Sequence, residues 1–311
     1  METSLIPNSS PALNSTFHAW QSHLTAEVAA SQITVATAKT YRQGVRNFLA
    51  WSASHPEEWN RQAVRAWLAD LHGQSYKQNT IAAWFAGVRS FFAWLMQTGQ
   101  IDIDPTKGLK RARRTGGASQ THSRDELTRE EIGQLLASDL TPRDRALIYL
   151  LAYTGARGCE LIRADVEDIA TSGEDMILRI QGKGKIEKDE ILVIAHADAR
   201  RVLYEYLPTI PASGPLFRSE SNKSKDARLS AVAMRQIVRR HLDRAGITSR
   251  RKTTHSLRHT AISNAIENGA TLVEAQAMAR HSDPATTQIY IHKRKRIESA
   301  AERKIDYAKQ K

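Results

Sequence analysis

The chain has 311 residues, 41% of them apolar, with 45 Lys and Arg against 33 Asp and Glu and a formal net charge of +12. That length suits two domains with real cores, the apolar share excludes disorder as the default state, and the excess positive charge points to a polyanionic partner, nucleic acid first. A single cysteine, Cys159, excludes an intramolecular disulfide, no basic-then-apolar leader opens the chain, and the longest apolar run, 146–153, is far below the ~20 residues that cross a bilayer, so a cytoplasmic protein is expected.

The first block, residues 15–103, reads as a bundle of four helices. A helix is expected at about 17–30. In "TAKTYRQGVRNFLAWSA" the apolar positions Tyr41, Val45, Phe48 and Leu49 recur at helical spacing and mark one face. "NRQAVRAWLADLHG" forms a shorter helix ending at Gly73. "NTIAAWFAGVRSFFAWLMQTG" carries the stripe Ile81, Phe85, Val88, Phe92 and Leu95, with Asn79 placed to cap and Gly99 to stop it. Trp51, Trp67, Trp84 and Trp94 are expected in the core or on a groove wall, ahead of base stacking.

Residues 104–125 break the pattern. Pro105, Gly108, Gly116 and Gly117 end regular structure, and Lys107, Lys110, Arg111, Arg113 and Arg114 crowd together. Such a run serves either as a solvated linker or as a strap across a phosphate backbone.

The second block, 126–296, opens on a capping box, Thr128 with Glu131, ahead of "IGQLLAS". The helix "PRDRALIYLLAYTG" follows. Two β-rich runs in "MILRIQGKGKIEKDEILVI" flank a Gly-Lys-Gly-Lys turn and predict a hairpin. After Pro208 and Pro211 come three helices: "SAVAMRQIVRRHLDRAG" with Ser230 as cap and Gly246 as stop, "THSLRHTAISNAIENG", and "TLVEAQAMARH". The fold class is therefore mainly α with one small sheet.

Four segments carry chemistry. "TGARGCEL" puts Arg157 at a turn or helix start with Glu160 one turn on. The hairpin tip offers Lys183 and Lys185. "HSLRH" sets His255 and Arg258 on one helix face, and "RHSDPATTQIYIH" places Tyr290 nine residues after His281. His255 and His259 lack the intervening Glu and further ligands of a zinc helix, and "GKGK" lacks the length and the Ser or Thr of a phosphate loop, so neither metal nor nucleotide cofactor is expected. Metal-free phosphodiester cleavage needs a nucleophile, positive charge on the crowded phosphorus, and an acid for the departing oxygen. Arginines fork onto non-bridging oxygens, histidines bond or move protons near neutrality, a lysine protonates the leaving group, and a phenol amid positive charge becomes a nucleophile.

The order Thr-Gly-x-Arg-x-x-Glu-Leu, Gly-Lys-Gly, His-x-Leu-Arg-His, then His-Ser-x-x-x-Thr-Thr-x-x-Tyr resembles the tyrosine recombinases, the phage-integrase family, over roughly residues 30–300. The resemblance implies an N-terminal core-binding bundle of the SAM-like type and a mixed α/β catalytic domain closing as a C-shaped clamp on double-stranded DNA. It implies that Arg157 and Arg258 clamp the scissile phosphate, that Lys183 is the general acid (with Lys185 two residues away), that His255 and His281 assist, and that Tyr290 attacks. Glu160 falls at the family's supporting acidic position. The product would be a 3′-phosphotyrosyl bond, resealed without ATP. In the family, four protomers, two per duplex site, exchange strands through a Holliday junction, at times with a partner recombinase or accessory protein. With only about fifteen residues before the bundle, the chain is similar to simple Xer-type enzymes without an arm-binding domain. The tail 297–311 would be a helix exchanged between protomers. The chain departs from the family's pattern at Ala156, Gly158 and Cys159, and at Arg280, which stands where a glycine is usual and is expected to shift the protonation of His281 or to touch DNA. A type IB topoisomerase and a non-catalytic DNA-binding module are the rival readings.

Overall fold

The computed structural model describes residues 11–55, 59–109, 126–173, 175–182, 187–222, 224–281 and 287. The chain divides into two compact units, Met1–Gly116 and Gly117–Lys311.

The first unit contains α1 (Pro11–Ala29), α2 (Val35–Ala53), α3 (Arg61–Gly73) and α4 (Gln78–Gln97). The first helix begins well before the expected 17. Thr34 caps α2, and the side chain of Asn60 accepts from the backbone of Gln62 and Ala63 to cap α3. Asn79 is not a cap: α4 starts from Lys77, whose extended backbone makes the turn, and Asn79 lies inside its first turn. The expected stripe does face the core, with Ile81, Phe85, Val88, Phe92 and Leu95 all buried. Helices α2 and α4 cross closely because each offers a glycine to the other's backbone. A Cβ on Gly44 would lie 2.5 Å from the Trp84 carbonyl oxygen, and one on Gly87 2.6 Å from the Tyr41 Cα. The tryptophans divide. Trp67 is fully buried and donates to Asn47, while Trp51, Trp84 and Trp94 lie half-buried against the core. The most enclosed neighbours of Trp67 in kind are Trp20 and Trp59, which no stripe singled out.

Residues 104–109, expected to belong to the linker, fold onto this unit. Thr106 is buried, Leu109 packs on the core, and Arg61 donates to the carbonyl of Lys107, whose side chain is exposed. Lys110, Arg111, Arg113 and Arg114 lie outside the described residues.

The second unit contains α5 (Arg129–Ala137), α6 (Pro142–Thr154), α7 (Gly158–Arg163), the strands β1 (Ile169–Ser172), β2 (Asp175–Ile180) and β3 (Glu190–Ile194), then α8 (Ala197–Tyr206), α9 (Ala231–Arg244), α10 (Thr254–Glu267) and α11 (Leu272–Ala279). The capping box of Thr128 and Glu131 forms as expected. From Ala146 on, helix α6 is apolar nearly all round, so it is the buried axis of the unit, with α8 and α10 packed against it. The sheet is antiparallel in the order β1-β2-β3, with Leu178 opposite both Ile169 and Leu192. Its inner face buries Met176, Leu178, Ile180, Leu192 and Ile194, leaving Ile191 and Val193 exposed.

Two elements exceed the expectation. Strand β1 pairs with β2 across a tight turn at Gly173, whose φ of 62° suits glycine; its four residues are too few to show an alternation. Helix α8 follows β3 directly and buries Ala199, Val202, Leu203 and Tyr206, a helical spacing hidden among charged residues.

Candidate active site

Arg157 stands at the N-terminus of α7, two residues after the sharp turn at Gly155, where φ is 61°. Its position is set by Glu160. The carboxylate accepts the Arg157 backbone N–H and the Arg157 Nη1 donor, each at 2.7 Å, so one buried side chain both caps the helix and aims the guanidinium. Arg157 Nη2 donates to the Arg280 carbonyl at 3.3 Å.

Arg258 arrives from α10. It is 4% exposed, and its guanidinium is anchored by two backbone carbonyls, that of Gly155 at 2.5 Å and that of Ala279. Those carbonyls end α6 and α11, so Arg258 ties together the two turns that lead into Arg157 and into His281. A planar donor fork held by fixed carbonyls has little freedom to swing, which is what a phosphate clamp requires.

His255 shares a face of α10 with Arg258. Burial first, then the charges of Arg258 and Arg157, hold its pKa below the ordinary value. His281 lies two residues after the end of α11, directly behind its C-cap Arg280. Burial first, then Arg258, Arg157 and Arg280, push it down to about 4. Both rings are therefore neutral at physiological pH in the free protein, able to accept a proton or donate one hydrogen bond. The His281 Nδ1 lies 2.9 Å from the hydroxyl of Thr287, which is buried.

Thus Arg157, Glu160, His255, Arg258 and His281, drawn from three stretches far apart in sequence, meet around one place. Lys183, Lys185 and Tyr290 lie outside the described residues. Two further residues enter: Arg280, expected to shift the protonation of His281 or to touch DNA and indeed one of the charges that lower the His281 pKa, and Glu190, which the sequence did not assign. Arg280 turns its guanidinium inward, at 10% side-chain exposure, and donates to Glu160 Oε2 at 2.7 Å. Glu190 of β3 lies 3.8 Å from the Arg280 Nε. The only sequence signal for Arg280 was its standing at a helix end where glycine is usual; Glu190 gave none. Among the described residues no group of three His, Cys, Asp or Glu side chains gathers as a metal would need.

Comparison with known proteins shows the family. Residues 125–296 match the model of the phage integrase family, and residues 17–99 that of the phage integrase N-terminal SAM-like domain. The chain belongs to the phage integrase family, the tyrosine recombinases. It is 31% identical to tyrosine recombinase XerD of Rhizobium meliloti over 281 residues, 86% of this chain and 88% of that one. It is 28% identical to tyrosine recombinase XerC of Mycobacterium leprae, over 82% of this chain and 88% of that one. Among solved structures, XerH site-specific recombinase bound to palindromic difH substrate, a post-cleavage complex, aligns with a TM-score of 0.69 at 18% identity, covering 85% of this chain and 79% of that one. A lambda integrase dimer bound to a COC′ core site aligns at 0.64 and 16% identity, covering 90% and 79%. This recombinase thus has the family's fold, a helical SAM-like unit and a mainly helical catalytic unit with a small sheet, and it is an enzyme of the site-specific recombinase type. No described helix is long and apolar enough to cross a membrane.

Proposed function

We propose that this recombinase binds a double-stranded core site and breaks and reseals its strands through Tyr290. Arg157 and Arg258 hold the two non-bridging oxygens of one phosphate. The Tyr290 oxygen attacks phosphorus, the bond to the 5′-oxygen breaks, and Lys183 gives its proton to that oxygen. The products are a 3′-phosphotyrosyl bond and a 5′-hydroxyl. Attack by a 5′-hydroxyl from the partner strand reverses the step, so the phosphodiester energy is kept and no ATP or metal is used. A neutral His281 or His255 is suited to take the phenolic proton, because burial and, after it, the neighbouring guanidiniums keep these rings unprotonated until phosphate brings negative charge.

The observation that carries this reading is the meeting of Arg157, Arg258, His255 and His281 from separate segments, with the guanidiniums anchored before any DNA arrives. Domain roles follow: 15–103 for core-site binding, 104–125 as a basic connection whose Lys107, Lys110, Arg111, Arg113 and Arg114 contact phosphates, 126–296 for catalysis, and 297–311 as an exchanged tail. A cleft of about 1310 Å³ in the second unit supports the last role: Ile132, Leu136, Ile191 and Val193 give it an apolar wall, with Glu267 and Glu274 beside them, fit for an amphipathic basic helix from a neighbouring protomer. The working assembly would be a dimer per site and a tetramer on two duplexes, acting on DNA in the cytoplasm, with a partner recombinase or accessory protein where the site demands one.

A nicked suicide duplex tests the chemistry. Incubated with fragmented genomic DNA, wild type should form a covalent adduct whose sequencing gives the core site, and Tyr290→Phe should bind that site without forming an adduct. An adduct that persists in the phenylalanine variant refutes the proposal. Relaxation of a one-site supercoiled plasmid without exchange between two sites would favour the topoisomerase reading.

A further inference from the structure

Arg280 sits in a conformation that L side chains rarely adopt, φ 52° and ψ 48°, at the C-terminal end of α11. Such a backbone is strained for a residue with a long side chain and persists only where something holds it. What holds it here is its side chain. The guanidinium donates to the carbonyl of Met278 at 2.7 Å and to Glu160 Oε2 at 2.7 Å, and its Nε faces Glu190 Oε2 at 3.8 Å. Its own carbonyl accepts from Arg157 Nη2.

Those partners belong to three different parts of the site. Glu160 fixes Arg157, the first guanidinium of the clamp. Glu190 opens β3, the return strand of the hairpin. The Glu190 carboxylate in turn lies against the outgoing arm, because a Cβ on Gly182 would come within 2.4 Å of its Oε1. Arg280 itself is followed at once by His281. One buried cation therefore joins the helix end that carries His281, the helix start that carries Arg157, and both arms of the hairpin at its base.

We propose that Arg280 is a positioning residue that fastens the base of the hairpin to the phosphate clamp and thereby sets where the lysine of the hairpin meets the leaving 5′-oxygen. Its charge is already answered by two carboxylates, which argues against Arg280 as a third clamp on the phosphate. This rests on the reading of Lys183 as general acid, and the test separates the two.

The test compares single-turnover cleavage of a suicide duplex, bearing the core sequence recovered by the covalent trap, with the same duplex carrying sulfur in place of the bridging 5′-oxygen. A 5′-thiolate leaves without a proton, so a defect in delivering the acid vanishes on the sulfur substrate, whereas a defect in holding the phosphate stays. Arg280→Gly removes the brace while keeping a residue that accepts the left-handed backbone. It should cut oxygen-substrate cleavage by about tenfold to 10²-fold, the scale of a small misplacement of a reacting group, with DNA affinity and the sulfur rate close to wild type. Glu190→Gln should show the same pattern, Arg280→Lys a milder one, and Arg280→Gly in a Lys183→Ala background no further loss. Sulfur rescue of Arg280→Gly without rescue of Lys183→Ala would move the acid to Lys185 and leave the brace standing. Wild-type cleavage by Arg280→Gly overturns the brace, as does an equal deficit on both substrates. No adduct from wild type at all would sink the recombinase chemistry first.

Discussion

His281 gives a pH dependence whose sign and size follow from its surroundings. Its ordinary pKa of 6.5 falls to about 4 in the folded chain, by burial and by three guanidiniums. Between those values the unfolded chain binds a proton that the folded chain refuses, so stability rises with pH through this window and is lost as pH falls from 6.5 toward 4. Taken at full value, lowering the pH from about 7.5 to about 5 would cost roughly 2 kcal/mol. The ring is only partly buried, and solvent screening brings this to about 1 kcal/mol. Urea unfolding of the intact chain at both pH values, for wild type and for His281→Gln, measures it. The variant should lose that share of the pH slope, and the ring carbon of His281 should titrate far below a free histidine. An unchanged slope in His281→Gln, or titration near 6.5, refutes the electrostatic argument. DNA should reverse the effect: the negative charge of a bound phosphodiester favours the protonated ring, so His281 should titrate higher in the complex.

Glu160→Ala removes the carboxylate that serves Arg157 and Arg280 together. Leaving two partly buried guanidiniums without it should lower the stability of the second unit by about 3 kcal/mol, the low end for a broken buried ion pair because both arginines retain some solvent contact; a loss below about 0.5 kcal/mol, the range of ordinary surface changes, would show that Glu160 does not organise the site. Gly44→Ala sets a Cβ against backbone atoms of Trp84, which cannot swing aside. Overpacking of about 1–3 kcal/mol then outweighs a helix-propensity gain of about 1 kcal/mol, and thermal unfolding of the first unit should shift down. Gly133→Ala in α5 meets nothing within 4 Å and should be neutral or stabilising.

The sequence by itself determined what is local. Capping residues and helical stripes act within one or two turns, so Thr128 with Glu131, Ser230 before α9, and the face from Ile81 to Leu95 could be read directly. Motif order likewise marked Arg157, Glu160, His255, Arg258 and His281, because such chemistry needs those residue types whatever lies between them. Where a local rule had rivals it failed: Asn79 is a good cap on composition, but the turn at Lys77 starts the helix two residues earlier. Strand β1 and helix α8 escaped notice because a four-residue strand shows no period and charged residues interrupt the apolar spacing of α8. Tertiary structure alone decided how the site is held. The carbonyls that anchor Arg258 come from residues 103 and 21 positions away, and the contact between Arg280 and Glu160 spans 120. Electrostatic pairing and burial depend on distance in space, and chain separation carries no record of it until the helices pack.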